Sequence, residues 1–221
     1  MAEITVLMAL MDFIPVLLFF AASIILMRDL YNKLSKAAFA MLAAGSLMVF
    51  FGGFYKALWK LLYGAGIADV PYFDSSLFPF QAPGFLLMFA ALITLFLNHK
   101  NKSSTVVMAS AVPVYASKLP LIILQVIGAS GVYWAVFAIA VRMRQKLAML
   151  LLALGFIAML GMGYLGSSGG TGIDWIEQTV NLLSQGFFLL AVWLLSRAGL
   201  SRPNSLVKKE TPPIKGVSFA F

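Results

Sequence analysis

TVVMASAVPVYASKLPLIILQVIGASGVYWAVFAIAV, Thr105 to Val141, is the stretch on which the fold turns. It reads either as one long helix preceded by a loop or as two helices joined tightly at Gly128-Ala129-Ser130-Gly131. Loop charge decides between them. With two helices, Arg142, Arg144 and Lys146 fall on the same side as Arg28, Lys33, Lys36, Lys100 and Lys102, and so do Arg197, Arg202, Lys208, Lys209 and Lys215. Of 16 basic residues, only Lys56, Lys60 and Lys118 then stay within spans. With one helix, the later basic residues move outside, against the positive-inside bias of membrane proteins. The expectation is an all-α integral membrane protein, a seven-transmembrane-helix bundle with its N-terminus outside and its C-terminus cytoplasmic.

Outward from that stretch, apolar segments long enough to cross roughly 30 Å of hydrocarbon fall at about 4–27, 37–63, 84–98, 105–127, 131–146, 147–165 and 173–196. Residues 1–196 are read as one transmembrane domain and 197–221, with Pro203, Pro212 and Pro213, as a flexible basic cytoplasmic tail. The segment Gly64 to Pro83 holds Asp69, Pro71, Asp74 and Pro79 with no Lys or Arg, and reads as an outer interfacial loop. Gly166 to Gly172 reads as a second outer loop. Glu3, with no basic residue before the apolar stretch, does not resemble a cleaved signal peptide, so Ile4 onward is expected to remain as the first helix.

Composition agrees with lipid as the solvent. The chain of 221 residues is 62% hydrophobic and 11% charged, with mean hydropathy +0.95, whereas soluble domains carry about 25% charged residues. The cell (inner) membrane is the expected location. The net charge of +8 lies in short loops and the tail, where topology accounts for it, so no nucleic-acid partner is expected. Zero cysteines exclude disulfides and thiolate chemistry, and the single His99 excludes histidine-cluster metal sites. No cofactor and no metal are expected, and an enzyme is the less favoured class.

Ionisable groups inside spans cost about 2.5–3.5 kcal/mol each on insertion scales, so they face the bundle interior and mark candidate sites. In the last span Asp174, Glu177, Asn181, Ser184 and Gln185 fall on one helical face. In the fourth, Lys118 and Gln125 are seven apart, with Tyr115 three residues before the lysine and Pro113 and Pro120 bracketing that lysine. The second carries Lys56 and Lys60 on a face with Gly45, Gly52 and Tyr63, and the first carries Thr5, Asp12 and Ser23. At 1.5 Å per residue, Asp12, Lys56, Lys118 and Asn181 all lie roughly 10–13 Å below the outer end of their helices. The reading is a polar cavity in the outer half of the bundle, with Asp12, Lys56, Tyr115, Lys118, Gln125, Glu177, Asn181 and Gln185 as ligand-binding residues and Tyr55, Trp59, Tyr115 and Tyr133 as walls. The competing reading has Lys56, Lys60 and Lys118 neutralise Asp12, Asp174 and Glu177 as a helix-locking network.

Gly128-Ala129-Ser130-Gly131 has the form GxSG at the outer start of a span and resembles the serine motif of rhomboid intramembrane proteases. The resemblance covers four residues and the topology, with the fifth and seventh spans standing for the serine and histidine helices, and it implies a nucleophilic Ser130. The seventh span holds no histidine, so Ser130 lacks a base, and a tight small-residue turn is the preferred reading. A microbial rhodopsin would need a retinal lysine between Ile173 and Ser196, and there is none. Gly155, Gly161 and Gly163 read as helix-packing positions.

Three functions remain: a carrier or binder of a small polar or anionic solute, a receptor or accessory subunit acting through a membrane or cytoplasmic protein partner, and an intramembrane enzyme. Seven spans beginning outside allow spans one to three and five to seven to be parallel repeats about a linker, an arrangement similar to that of small sugar carriers. Besides the lipid bilayer, a small-molecule ligand is the partner this reading favours.

Overall fold

The computed structural model describes residues 6–97, 118–165, 173–202 and 206. They form α1 (Val6–Leu30), α2 (Lys36–Gly64), the single-turn α3 (Pro71–Ser75), α4 (Leu77–Ile93), α5 (Lys118–Arg142), α6 (Lys146–Leu165) and α7 (Ile173–Arg197). No strand occurs among the described residues. Five stretches are long and apolar enough to cross a membrane: Val6–Leu30, Lys36–Gly64, Pro71–Ile93, Leu119–Arg142 and Trp175–Arg197. Lys146–Met162 is a shorter apolar helix. Leu7, Leu10, Ile14, Leu17 and Ile24 are exposed along one side of α1, and Leu147, Leu150, Leu154 and Ile157 along α6. Soluble monomers rarely show continuous apolar stripes of that kind, and a lipid-embedded bundle requires them.

Helix ends follow local chemistry. Ser35 caps α2, its Oγ accepting from the Ala38 backbone N–H at 3.2 Å. Gly66 (φ +67) and Gly199 (φ +91) take the left-handed conformation just past α2 and α7. Beyond Gly199, the Leu200 N–H donates to the Leu195 carbonyl at 3.0 Å and the Leu200 side chain is fully buried. The residues directly after α7 therefore fold back on the bundle, where a flexible tail from Arg197 was expected. Lys33 Nζ donates to the Arg202 carbonyl there. Burial lowers the Lys33 ammonium pKa, and the neighbouring Asp29 charge opposes the shift.

Two expected boundaries are corrected. α4 begins at Leu77 and is preceded by α3, so much of the loop expected over 64–83 is helical, and the third span starts before Gly84. Pro71 at the start of α3 and Pro79 in the first turn of α4 occupy positions whose N–H has no intrahelical partner, so these prolines do not break a helix. The second correction concerns the hairpin. α5 runs unbroken through Gly128-Ala129-Ser130-Gly131, so 105–127 and 131–146 are not separate spans joined there. A Cβ on Gly128 would lie 2.8 Å from the Leu86 backbone nitrogen, and one on Gly131 2.4 Å from the Phe89 ring. The small residues serve close contact between α4 and α5, not chain reversal. Lys118 opens α5 and is not a mid-span residue. The earlier part of the expected fourth span lies outside the described residues.

Contacts fix the direction of each helix. α1 and α2 run antiparallel, with Lys60 against Asp12, Phe50 against Phe20 and Phe39 against Tyr31. α2 and α4 are antiparallel, Gly45 facing Gly84 and Gly52 facing Gln81. α4 and α5 run side by side in the same direction, Gln81 meeting Gln125, Phe89 meeting Gly131 and Phe96 meeting Arg142. α6 turns back after Arg144 (φ 56), and α7 lies parallel to α1, with Phe188 on Phe19 and Ser196 on Arg28. Each long helix packs on the next, and α7 closes the ring on α1. One end of the ring gathers Arg28, Lys33, Lys36, Arg142, Arg144, Lys146, Arg197 and Arg202.

The helices α1, α2 and α4 and the helices α5, α6 and α7 form two triplets that follow one another around the ring, each with its middle helix antiparallel to the other two. Buried positions correspond at a constant spacing within each helix pair. In α2 and α6 they are Ala38 with Ala148, Leu42 with Leu152 and Gly45 with Gly155; in α4 and α7, Met88 with Phe188, Ala91 with Ala191 and Leu92 with Val192; in α1 and α5, Met8 with Leu121, Ala22 with Ala135 and Leu26 with Ile139.

Candidate functional site

A partly open cavity of ≈ 210 Å³ lies between the two triplets, in the part of the bundle away from the basic end. All six long helices line it: Asp12 and Pro15 from α1, Lys56 and Lys60 from α2, Gln81 and Phe85 from α4, Gln125 and Tyr133 from α5, Met159 from α6, and Glu177, Asn181 and Gln185 from α7. The same sequence spacings recur in this lining, with Leu77 and Glu177, Gln81 and Asn181, Phe85 and Gln185, Val49 and Met159, and Asp12 and Gln125 each on the wall.

Six of the eight ligand-binding residues expected from sequence meet here: Asp12, Lys56, Gln125, Glu177, Asn181 and Gln185. Tyr115 lies outside the described residues, as does the side chain of Lys118. Of the expected aromatic walls, Tyr133 lines the cavity and Tyr55 and Trp59 do not. Tyr55 stacks on Phe73 at 5.3 Å, and the Trp59 indole donates to Asp69 Oδ1 at 2.9 Å, so both fasten the α2–α3 corner instead. Ser130 is not part of the lining either, and no group of acidic or histidine side chains suited to a metal occurs among the described residues.

The polar wall is partly self-satisfied. Lys60 Nζ lies 2.7 Å from Asp12 Oδ2, the one ion pair between neighbouring helices among the described residues. Gln125 Nε2 donates to Gln81 Oε1 at 2.9 Å, while Gln125 Oε1 is buried with no hydrogen-bond partner. Lys56 feels the charges of Lys60, Asp74, Glu177 and Asp12 but forms no ion pair or hydrogen bond with any described residue. Neutralisation and a void thus coexist: one lysine is paired and the next, one turn away, is not.

Below the polar layer the cavity ends on aromatic rings. Phe19 meets Phe85 edge-on at 5.6 Å and Phe188 in a stacked pair at 6.2 Å, and Tyr133 leans on Phe188 at 5.0 Å. Ser184 Oγ donates to the Gly155 carbonyl at 2.9 Å, which leaves its lone pairs for the Tyr133 hydroxyl 3.0 Å away. That chain joins α5, α6 and α7 under the cavity. The fully buried Leu26, Leu42, Leu92, Ile139, Leu152 and Leu195 fill the bundle from the floor toward the basic end.

Gln81, Phe85, Phe19 and Phe188 were not among the expected site residues. Gln81 was assigned to a loop, and with the apolar Leu77 and Phe85 one turn to either side it forms no polar stripe that would have marked it in the sequence. Fold and site together define, over the described residues, an all-helical, membrane-type bundle with a polar cavity lined by its six long helices. No family model, curated protein or solved structure matches the chain.

Proposed function

We propose that this protein is a carrier of small polar solutes in the cell membrane, with seven crossings, its N-terminus outside and its basic end in the cytoplasm. The observation that carries the reading is the cavity: both helix triplets contribute polar groups to one void between them. Binding sites at the interface of two repeats, with rocking of one against the other, are the usual basis of alternating access. With the basic end in the cytoplasm, the packed core there is what the outward-facing state of such a carrier requires. Support for the orientation comes from the basic cluster, which belongs on the cytoplasmic side. Support for a seventh crossing comes from the parallel run of α4 and α5, because α4 ends at the basic end and α5 starts at the other. The 20 residues 98–117 would supply about 30 Å of rise if helical, enough to return.

The test is uptake into proteoliposomes of purified full-length protein, with amino acids, sugars and carboxylates as labelled solutes. Wild-type uptake of one class, abolished by Glu177→Gln and by Gln125→Ala with expression intact, is the expected result. No uptake of any class, or uptake indifferent to both substitutions, overturns the reading.

A further inference from the structure

Among its described lining residues the cavity is charge-balanced: Asp12 and Glu177 are acids, Lys56 and Lys60 bases. Asp12 and Lys60 satisfy each other at 2.7 Å. Among the described lining residues this leaves one cation and one anion, Lys56 and Glu177, both on the cavity wall and not in contact with each other; the charge of Asp74, outside the lining, also acts on Lys56. A ligand that carries net charge would compensate one of them and leave the other unpaired in a poorly solvated site, where an unpaired charge is heavily disfavoured. An uncharged ligand would compensate neither.

We propose that the site binds a small zwitterion of the α-amino acid type, its carboxylate on Lys56 and its ammonium on Glu177; this rests on the solute-binding reading above. A zwitterion enters without changing the balance and supplies each residue with its counter-charge. Gln125 Oε1, the buried acceptor without a partner, offers a further station for an N–H donor. The aromatic floor of Phe19, Phe85 and Phe188 receives an apolar side chain, and ≈ 210 Å³ falls short of the about 300–1,000 Å³ of pockets for larger ligands. A free amino acid fits that space and a peptide does not.

The experiment is equilibrium binding of labelled apolar amino acids, leucine first, to purified full-length protein in detergent. Competitors are the matching deaminated acid (4-methylpentanoate), the matching amine (3-methylbutylamine) and neutral sugars. The zwitterion is expected to bind, with acid and amine each weaker by at least about tenfold, the loss of one charge-assisted contact. Glu177→Gln should raise the affinity for the acid relative to the amino acid, and Lys56→Gln should do the same for the amine. Competition on wild-type protein needs no variant, so it decides even where a variant fails to fold. Wild-type preference for the acid, the amine or a sugar overturns the zwitterion assignment and leaves solute binding standing. Binding of none of the four classes overturns both.

Discussion

At the scale of single residues, neighbouring lysines on one helix have opposite circumstances. Lys60 is paired with Asp12 at 2.7 Å, both side chains mostly buried, whereas Lys56 has no direct partner among the described residues. Asp12→Asn should therefore cost about 1–3 kcal/mol by stranding the Lys60 charge, and adding Lys60→Met should recover much of it. Thermal melting in detergent reads both. Lys56→Met should leave the melting temperature unchanged or raise it while abolishing solute uptake, the usual opposition between a stable site and a working one. Ser130→Ala should change neither. The polar side chains were legible in sequence because lipid makes each of them conspicuous. Their pairing was not, since periodicity places residues on a face without saying which of two lysines one turn apart meets the carboxylate.

At the scale of the helix, glycines set how closely neighbours approach. A Cβ on Gly45 would lie 2.5 Å from the Gly84 carbonyl oxygen, and one on Gly84 2.9 Å from that of Gly45. Both obstacles are backbone and cannot rotate away. Gly45→Val or Gly84→Val should separate α2 from α4 and lower stability by about 1–3 kcal/mol or more, seen as a lower melting temperature and loss of a monodisperse elution peak. The same chemistry explains the misplaced hairpin. A small-residue cluster signals that backbone comes close to something, and Gly128-Ala129-Ser130-Gly131 meets α4 where a turn was expected. Charge bookkeeping constrains only the parity of crossings before Arg142, so it left the position of any further crossing open to this error.

At the scale of the molecule, the ring of two parallel halves was hidden in the sequence because matched positions share burial more than identity. Gly45 with Gly155 and Leu42 with Leu152 are identical, but Asp12 with Gln125 and Phe85 with Gln185 are not. The orientation can be read by labelling, since the absence of cysteine gives single-cysteine variants no background. Ala68→Cys should react with an impermeant maleimide on intact cells, and Tyr31→Cys and Lys146→Cys only after permeabilisation; the reverse pattern would turn the molecule over. The parallel halves have one more consequence, for how such a chain arises. Three helices are an odd number, so a tandem copy fused directly behind the first would insert upside down. Under the proposed seven-crossing topology, the piece between Ile93 and Lys118 is what sets the direction of the second half across the bilayer. Deleting residues 98–117 should not simply shorten the protein: it should invert its second half.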